Sequence, residues 1–256
     1  MAAVIGLGAT FLIYIFIFAY GGMVMQGVMQ EKTNRIVEVI VSSVKPIELM
    51  MGKIIGVGLV GLTQFMIWVA LICGVALAFG IGSVMSTDMS AIAELDPSVS
   101  QIDQTKIAGM MQEILTGVNF AQILGFFIIY FIGGYLLFAA IFAAIASMVD
   151  QEADTQQFMI PVTMIILFAF YAAIYSIENP DGPLAFWCSI IPFTSPIVMM
   201  VRLPYDVPAW QMLLSIGLLF GTFLLTTYFA AKIYRTGILM YGKKITYKEM
   251  IKWLKY

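Results

Sequence analysis

The chain reads as an all-α membrane protein. Five transmembrane helices are predicted, with an amphipathic helix in the first, cytoplasmic connection and an extracytoplasmic re-entrant helical pair before the last span. Three observations predict this. Hydrophobic residues make up 61% of the 256 and charged residues only 11%, which is more apolar surface than a soluble domain of this length needs to bury. Five apolar runs reach the roughly 20 residues that a helix needs to cross a bilayer. The polar residues are gathered between those runs, so the whole chain, 1–256, reads as a single transmembrane domain.

The first run covers residues 4–25. After it comes EKTNRIVEVIVSSVKPIELMMGK, Glu31 to Lys53, with four basic and three acidic residues. At 100° per residue, Ile36, Val37, Ile40, Val41 and Val44 share one arc, while Glu31, Asn34, Arg35, Glu38, Ser42 and Lys45 share the other. This predicts an amphipathic helix over Glu31–Lys45, lying near-parallel to the membrane plane, with weak support from the Glu31–Arg35 i,i+4 pair. Pro46 either ends that helix or opens the next one at its first turn, where the missing N–H costs little.

The second run, 54–83, and the third, 120–148, exceed what a bilayer requires and predict tilt or extension beyond it. A polar, mildly acidic connection over 84–119 separates them. Asp150, Glu152 and Asp154 form a tight acidic loop before the fourth run, 158–177. A Pro-rich stretch follows, and its uncharged apolar core, 184–201, is broken by Pro192 and Pro196. Two prolines in so short a run favour a re-entrant or interfacial helical pair over a sixth crossing. Trp187 and Tyr205 suit a water–lipid boundary. The fifth run is 210–233, and the tail, 234–256, is basic, with Arg235, Lys243, Lys244, Lys248, Lys252 and Lys255. We read that tail as solvated and facing anionic lipid.

The first connection and the tail, counting Lys232, hold eleven of the thirteen basic residues. Both therefore belong to the cytoplasmic side. The start of the chain then lies outside, and the odd number of spans leads us to expect a further span upstream. Small residues recur at helix-contact spacing in Gly52/Gly56, Ala139/Ala143, Ala140/Ala144 and Gly217/Gly221, which we read as packing within the chain.

Several chemistries are excluded or disfavoured. The absence of histidine removes the commonest metal ligand and catalytic base. Cys73 and Cys188 have no partner spacing and read as inert packing residues. Gly237-Ile-Leu-Met-Tyr-Gly242-Lys243-Lys244 approaches a phosphate-binding loop, but it ends on Lys244 instead of Ser or Thr and follows a membrane span instead of a strand. No Asp, Glu, Lys or Arg falls within a predicted span core, unlike the coupling sites of ion-driven carriers. The polar span residues are Gln64, Asn119, Gln122, Thr163, Thr222, Thr226 and Thr227, and most of them read as interhelical hydrogen-bond formers. If the chain moves a substrate, the energy comes from elsewhere. A membrane scaffold or sensor that docks a cytoplasmic partner is the alternative that the residues leave open.

EKTNRIVEVIVSSVKPIELMMGKIIG closely resembles the cytoplasmic segment of ABC-2 type exporter permeases, in particular the sodium-extrusion-like subgroup. IPFTSPIVMMVR and IYRTGILMYGKK resemble later segments of the same family, in the same order. The resemblance implies a permease subunit that exports substrate as one of a pair, at the bacterial inner membrane. Its implied partners are a cytoplasmic ABC ATPase, a second permease copy and the lipid bilayer, with no nucleic acid. ATP and Mg would be bound in the ATPase, and this chain would bind no cofactor. Carried over by position, Glu31, Lys32, Thr33, Asn34, Arg35, Glu38, Ser42, Ser43, Lys45 and Pro46 form the ATPase-coupling element, with Arg35 and Glu38 the leading contacts. Pro192, Phe193, Thr194, Ser195 and Pro196 form an extracytoplasmic re-entrant gate. Family members usually begin with a further span and a large extracytoplasmic domain, and we expect both to be missing upstream of the first run.

Overall fold

A computed structural model describes residues 2–34, 44–78, 120–149 and 152–238. All the regular structure described is helical: α1 (Ala2–Thr33), α2 (Pro46–Ala78), α3 (Phe120–Met148), α4 (Glu152–Glu178), α5 (Pro183–Ile190), α6 (Ser195–Arg202), a 3-10 turn (Leu203–Tyr205) and α7 (Ala209–Gly237). Five of these, α1, α2, α3, α4 and α7, are long and apolar enough to cross a membrane.

The bundle is built around α3. In its most apolar stretch 72% of residues are buried, against 17% for α2, 28% for α4 and 22% for α7. Helix α1 packs along one side of α3 and α7 along another, while α2 touches all three. In lipid, which is as apolar as leucine, helices associate through close packing and internal hydrogen bonds. The sequence of α3 suits this, because Ala139, Ala140, Ala143 and Ala146 are all fully buried and let its neighbours approach. Aromatic rings fill the wider gaps. Phe65 of α2 stacks on Phe127 at 4.9 Å between centroids, and Phe16 of α1 meets Phe131 edge-on at 5.2 Å.

Polar side chains join the spans, as expected of Gln64, which accepts a 2.7 Å hydrogen bond from the Tyr20 hydroxyl. The Tyr135 hydroxyl donates to the Ile54 carbonyl at 2.7 Å. Helix α2 is thus held to α1 and α3 by directed bonds as well as by packing.

Four expectations need correction. Helix α1 does not stop near residue 25 to let a separate helix begin at Glu31. It continues unbroken through Thr33, because residues 23–33 carry no proline and the polar groups at its end find partners inside the protein. Pro46 is the first residue of α2, so that helix begins eight residues before the expected span. Helix α4 begins at Glu152, and Glu152 and Asp154 therefore lie on a helix rather than in a loop. Arg235 lies on α7 and not in a tail.

The small-residue pairs divide. The alanines of α3 pack as expected, but among the described residues no neighbouring atom comes within 4 Å of where a side chain on Gly52, Gly56, Gly217 or Gly221 would start. The glycines that do admit a neighbour lie elsewhere. A Cβ on Gly134 would meet the Pro196 ring at 2.9 Å, and one on Gly237 would meet the Ser147 carbonyl oxygen at 2.8 Å. Spacing identifies a small stripe but not whether a helix faces it.

Candidate functional site

Two polar constructions interrupt the apolar bundle, one at each end. The first surrounds the helical pair. Pro183 opens α5 and the chain turns over Ile191–Thr194 before α6, so the stretch is two short helices, each about 12 Å long at 1.5 Å per residue. Pro196 lies against Gly134, the middle residue of α3, with Ile17 of α1 also close to that point. The Phe193 ring meets Phe138 of α3 at 6.4 Å. From that depth α6 climbs back along α1. The Thr10 hydroxyl donates to the Ile197 carbonyl at 2.9 Å, and Gly6 lets the Val201 backbone approach. The stretch enters and leaves at the same end of the bundle, and every residue of α6 is buried.

The turn of the pair satisfies its own backbone. Thr194 Oγ1 donates to the Cys188 carbonyl at 2.6 Å, and the Thr194 and Ser195 backbone N–H groups bond the Ile191 carbonyl. Pro192 and Phe193 are half-buried, while Thr194, Ser195 and Pro196 are buried. The five residues expected at this gate therefore sit together at mid-bundle depth. Cys188 is buried with a free thiol, and burial pushes its pKa up, in keeping with an inert packing residue.

Sequence reasoning missed Arg202, one of the largest fully buried side chains. Its Nε donates to the Pro180 carbonyl at 2.6 Å, and Nη1 donates to Ser189 Oγ at 2.6 Å and to Gln211 Oε1 at 3.1 Å. Asp181 lies 3.7 Å from Nη2, but its side chain is 93% exposed, so this ion pair is screened and weak. Burial lowers the Arg202 pKa and Asp181 opposes the shift, yet a guanidinium stays charged throughout the physiological range. Ser215 of α7 donates to the Ser189 carbonyl at 2.7 Å and completes the network. A signal was present in the sequence: Arg202 stands alone at the end of the apolar run SPIVMMVR, and a lone charge in such a run must find buried partners.

The second construction is at the opposite end. Lys53 Nζ of α2 lies 2.7 Å from Glu31 Oε2 of α1, both side chains being mostly buried. Gly27 leaves room for the Lys53 stem, whose Cδ would lie 3.3 Å from a Cβ there. Lys32 is buried and donates to the Ser147 carbonyl at 2.7 Å. A cation there also suits the negative end of α3. Gly237 of α7 closes on the same Ser147. Helices α1, α2, α3 and α7 therefore converge where the first connection leaves and rejoins the bundle.

This changes the expected coupling element. Glu31, Lys32 and Thr33 belong to α1, and Glu31 and Lys32 face helices rather than solvent because each finds a partner there. Asn34 forms the turn that follows, its N–H bonded to the Gln30 carbonyl. The backbone carbonyl of the exposed Lys45 accepts from the N–H groups of Glu48 and Leu49 at the start of α2, and Pro46 occupies the first helical position. Arg35, Glu38, Ser42 and Ser43 lie outside the described residues. Among the described residues no three His, Cys, Asp or Glu side chains group as a metal site would require.

The model of one family, described as ABC-2 family transporter protein, matches residues 2–232. The chain belongs to this ABC-2 transporter family. The Bacillus subtilis (strain 168) protein YhaP, described as uncharacterized, is 31% identical over 241 residues, covering 94% of this chain and 52% of its own length. The uncharacterized protein MJ1024 of Methanocaldococcus jannaschii is 23% identical over 253 residues, covering 98% of this chain and 54% of its own. The chain thus spans about half the length of the curated relatives it matches. No solved structure matches it. As an ABC-2 family member with five helices long and apolar enough to cross a membrane, it is a multi-pass membrane protein.

Proposed function

We propose that this chain is the membrane-embedded permease part of an ATP-driven exporter, at the inner membrane of a bacterium. A separate cytoplasmic ATPase binds ATP and Mg and docks on the connection between α1 and α2, and a second permease copy completes the pathway. Substrate leaves outward past the turn at Pro192, Phe193, Thr194, Ser195 and Pro196. The observation that carries this reading is the family match across nearly the whole chain.

Two structural features support it. The first connection is gripped at both ends, by Lys32 on Ser147 and by Glu31 on Lys53, so a force applied to it passes directly into four helices. The helical pair reaches mid-bundle from the opposite end, where a gate is needed.

The test is co-purification of the full-length protein with the Walker-motif ATPase encoded beside it, followed by ATP hydrolysis in liposomes. Arg35→Glu or Glu38→Lys should reduce recovery of the complex at least about tenfold, or uncouple hydrolysis from export. A truncated charge pair at a desolvated interface costs about 2–5 kcal/mol, and 1.4 kcal/mol is a factor of ten. Unchanged assembly and coupling in both variants would overturn the docking assignment.

A further inference from the structure

We propose that Arg202 is the latch that keeps the α5–α6 pair seated in the bundle, and that releasing it exposes the buried face of the pair to water from that end. The inference rests on the permease reading for its meaning in transport, but its physical content stands on the geometry alone.

The pair is joined to the spans by two short links, residues 179–182 before α5 and 203–208 after α6. Arg202 bonds the first link and the start of α7. Through Nε it holds Pro180 in the first link, and through Nη1 it holds Gln211 just past the second, while the same nitrogen grips Ser189 near the end of α5. One side chain thus ties the first hinge, both arms and the start of α7 together. The second link includes Asp206 at φ 54°, a left-handed backbone that few residues other than glycine adopt readily.

The bonding is also one-sided. Toward the end of α4 and the start of α7 the pair is held by three hydrogen bonds among the described residues, Arg202 to Pro180, Arg202 to Gln211 and Ser215 to Ser189, while Arg202 to Ser189 ties its two helices together. Toward α1 and α3, among the described residues, it makes one hydrogen bond, from Thr10 to Ile197, and otherwise packs on Gly6, Gly134 and Phe138. An apolar contact can slide or part without stranding a polar group, whereas a buried guanidinium that loses its acceptors cannot. The surface on which the pair separates therefore runs along α1 and α3, and Arg202 decides whether the pair stays down. The exposed Asp181 carboxylate contributes little to this, being screened by water.

The protein carries its own reporter. Cys188 lies on α5, is buried and free, and its carbonyl is bonded within the turn. With Cys73 replaced by serine, its reaction with a membrane-impermeant maleimide, added from the outer side of the full-length protein in proteoliposomes, measures how often the pair lifts. A protected thiol reacts only from an opened state, so Arg202→Gln should raise the rate at least about tenfold. Arg202→Lys keeps the charge but not the planar fork and should raise it as well. Asp181→Asn should change it by less than about twofold. A cysteine placed at the buried Ala143 of α3 separates lifting of the pair from general loosening. Its protection should persist in the Arg202 variants. If Arg202→Gln does not insert, the double variant Ser189→Ala, Gln211→Leu removes two of the acceptors and should expose Cys188 in its place.

Unchanged Cys188 labelling in the inserted variants, or equal labelling gains at positions 143 and 188, would overturn the latch. The assay needs neither ATPase nor cargo, so its failure is separable from failure of the permease reading, which complex assembly and ATP-driven export test independently.

Discussion

The Glu31–Lys53 pair offers a sharp test of how the first connection is held. At 2.7 Å and an effective dielectric of about 20, the gross attraction is about 6 kcal/mol. Desolvation cancels much of this, so the pair itself adds little net stability, but removing one partner strands the other. With side chains 14% and 25% exposed, the stranded charge keeps limited access to water, which places the cost near the low end of the buried-pair range, about 3 kcal/mol. Lys53→Met should therefore lower the apparent melting midpoint in mild detergent, followed by loss of the monodisperse peak. The expected drop is about 6–12 °C, at about 2–4 °C per kcal/mol for a chain of this size. Lys53→Glu should cost more, because it sets two carboxylates together. Glu31→Lys combined with Lys53→Glu should recover at least half of that loss, since the same two positions again carry opposite charges. A double variant as unstable as Lys53→Glu, or single variants within about 1 °C of the parent, would refute the pairing as a structural element.

Three further outcomes follow from particular contacts. Gly237→Ala drives a methyl group to 2.8 Å from the Ser147 carbonyl oxygen, which is backbone and cannot rotate away, and should destabilise by about 1–3 kcal/mol in the same melting assay. Thr194→Val strands the Cys188 carbonyl inside the turn and should cost about 1–3 kcal/mol, with faster proteolysis between α5 and α6 as the readout. Gly52→Ala should be nearly neutral in melting of the single chain, because among the described residues nothing lies within 4 Å of its Cβ position, and a loss above about 1 kcal/mol would show that a helix faces it after all.

The spans were legible because lipid enforces a minimum length on any crossing helix, and hydropathy measures that directly. The helical pair was legible for the complementary reason: a run of 184–201 with two internal prolines cannot satisfy its backbone in hydrocarbon as one continuous helix. The ends of the bundle were not legible. A helical wheel treats charge as a mark of solvent, so it sent Glu31 outward, and it gave Lys32 no place. What takes Lys32 inward is a carbonyl 115 residues later in the chain, which no local pattern can contain. Arg202 was passed over for a related reason. Its environment is assembled from Pro180, Ser189 and Gln211, and only the fold brings these together. The glycine pairs show the opposite error, in which a correct local pattern was assigned a neighbour that the fold does not supply.

The partners of Arg202 also constrain the order in which the protein can be made. Pro180 and Ser189 precede it in the chain, but Gln211 and Ser215 follow it on α7. When α6 emerges from the ribosome, one of the acceptors of the buried guanidinium, Gln211, does not yet exist, and neither does Ser215, which fixes Ser189. A charged residue at membrane depth without acceptors is costly to insert, so the nascent α5–α6 stretch has reason to wait at the membrane surface, where water solvates Arg202. Only after α7 has crossed is the pocket complete. Biogenesis would then finish with a folding-in of an already synthesised segment, and a ribosome stalled before residue 211 should display Arg202 to aqueous reagents that never reach it in the mature protein.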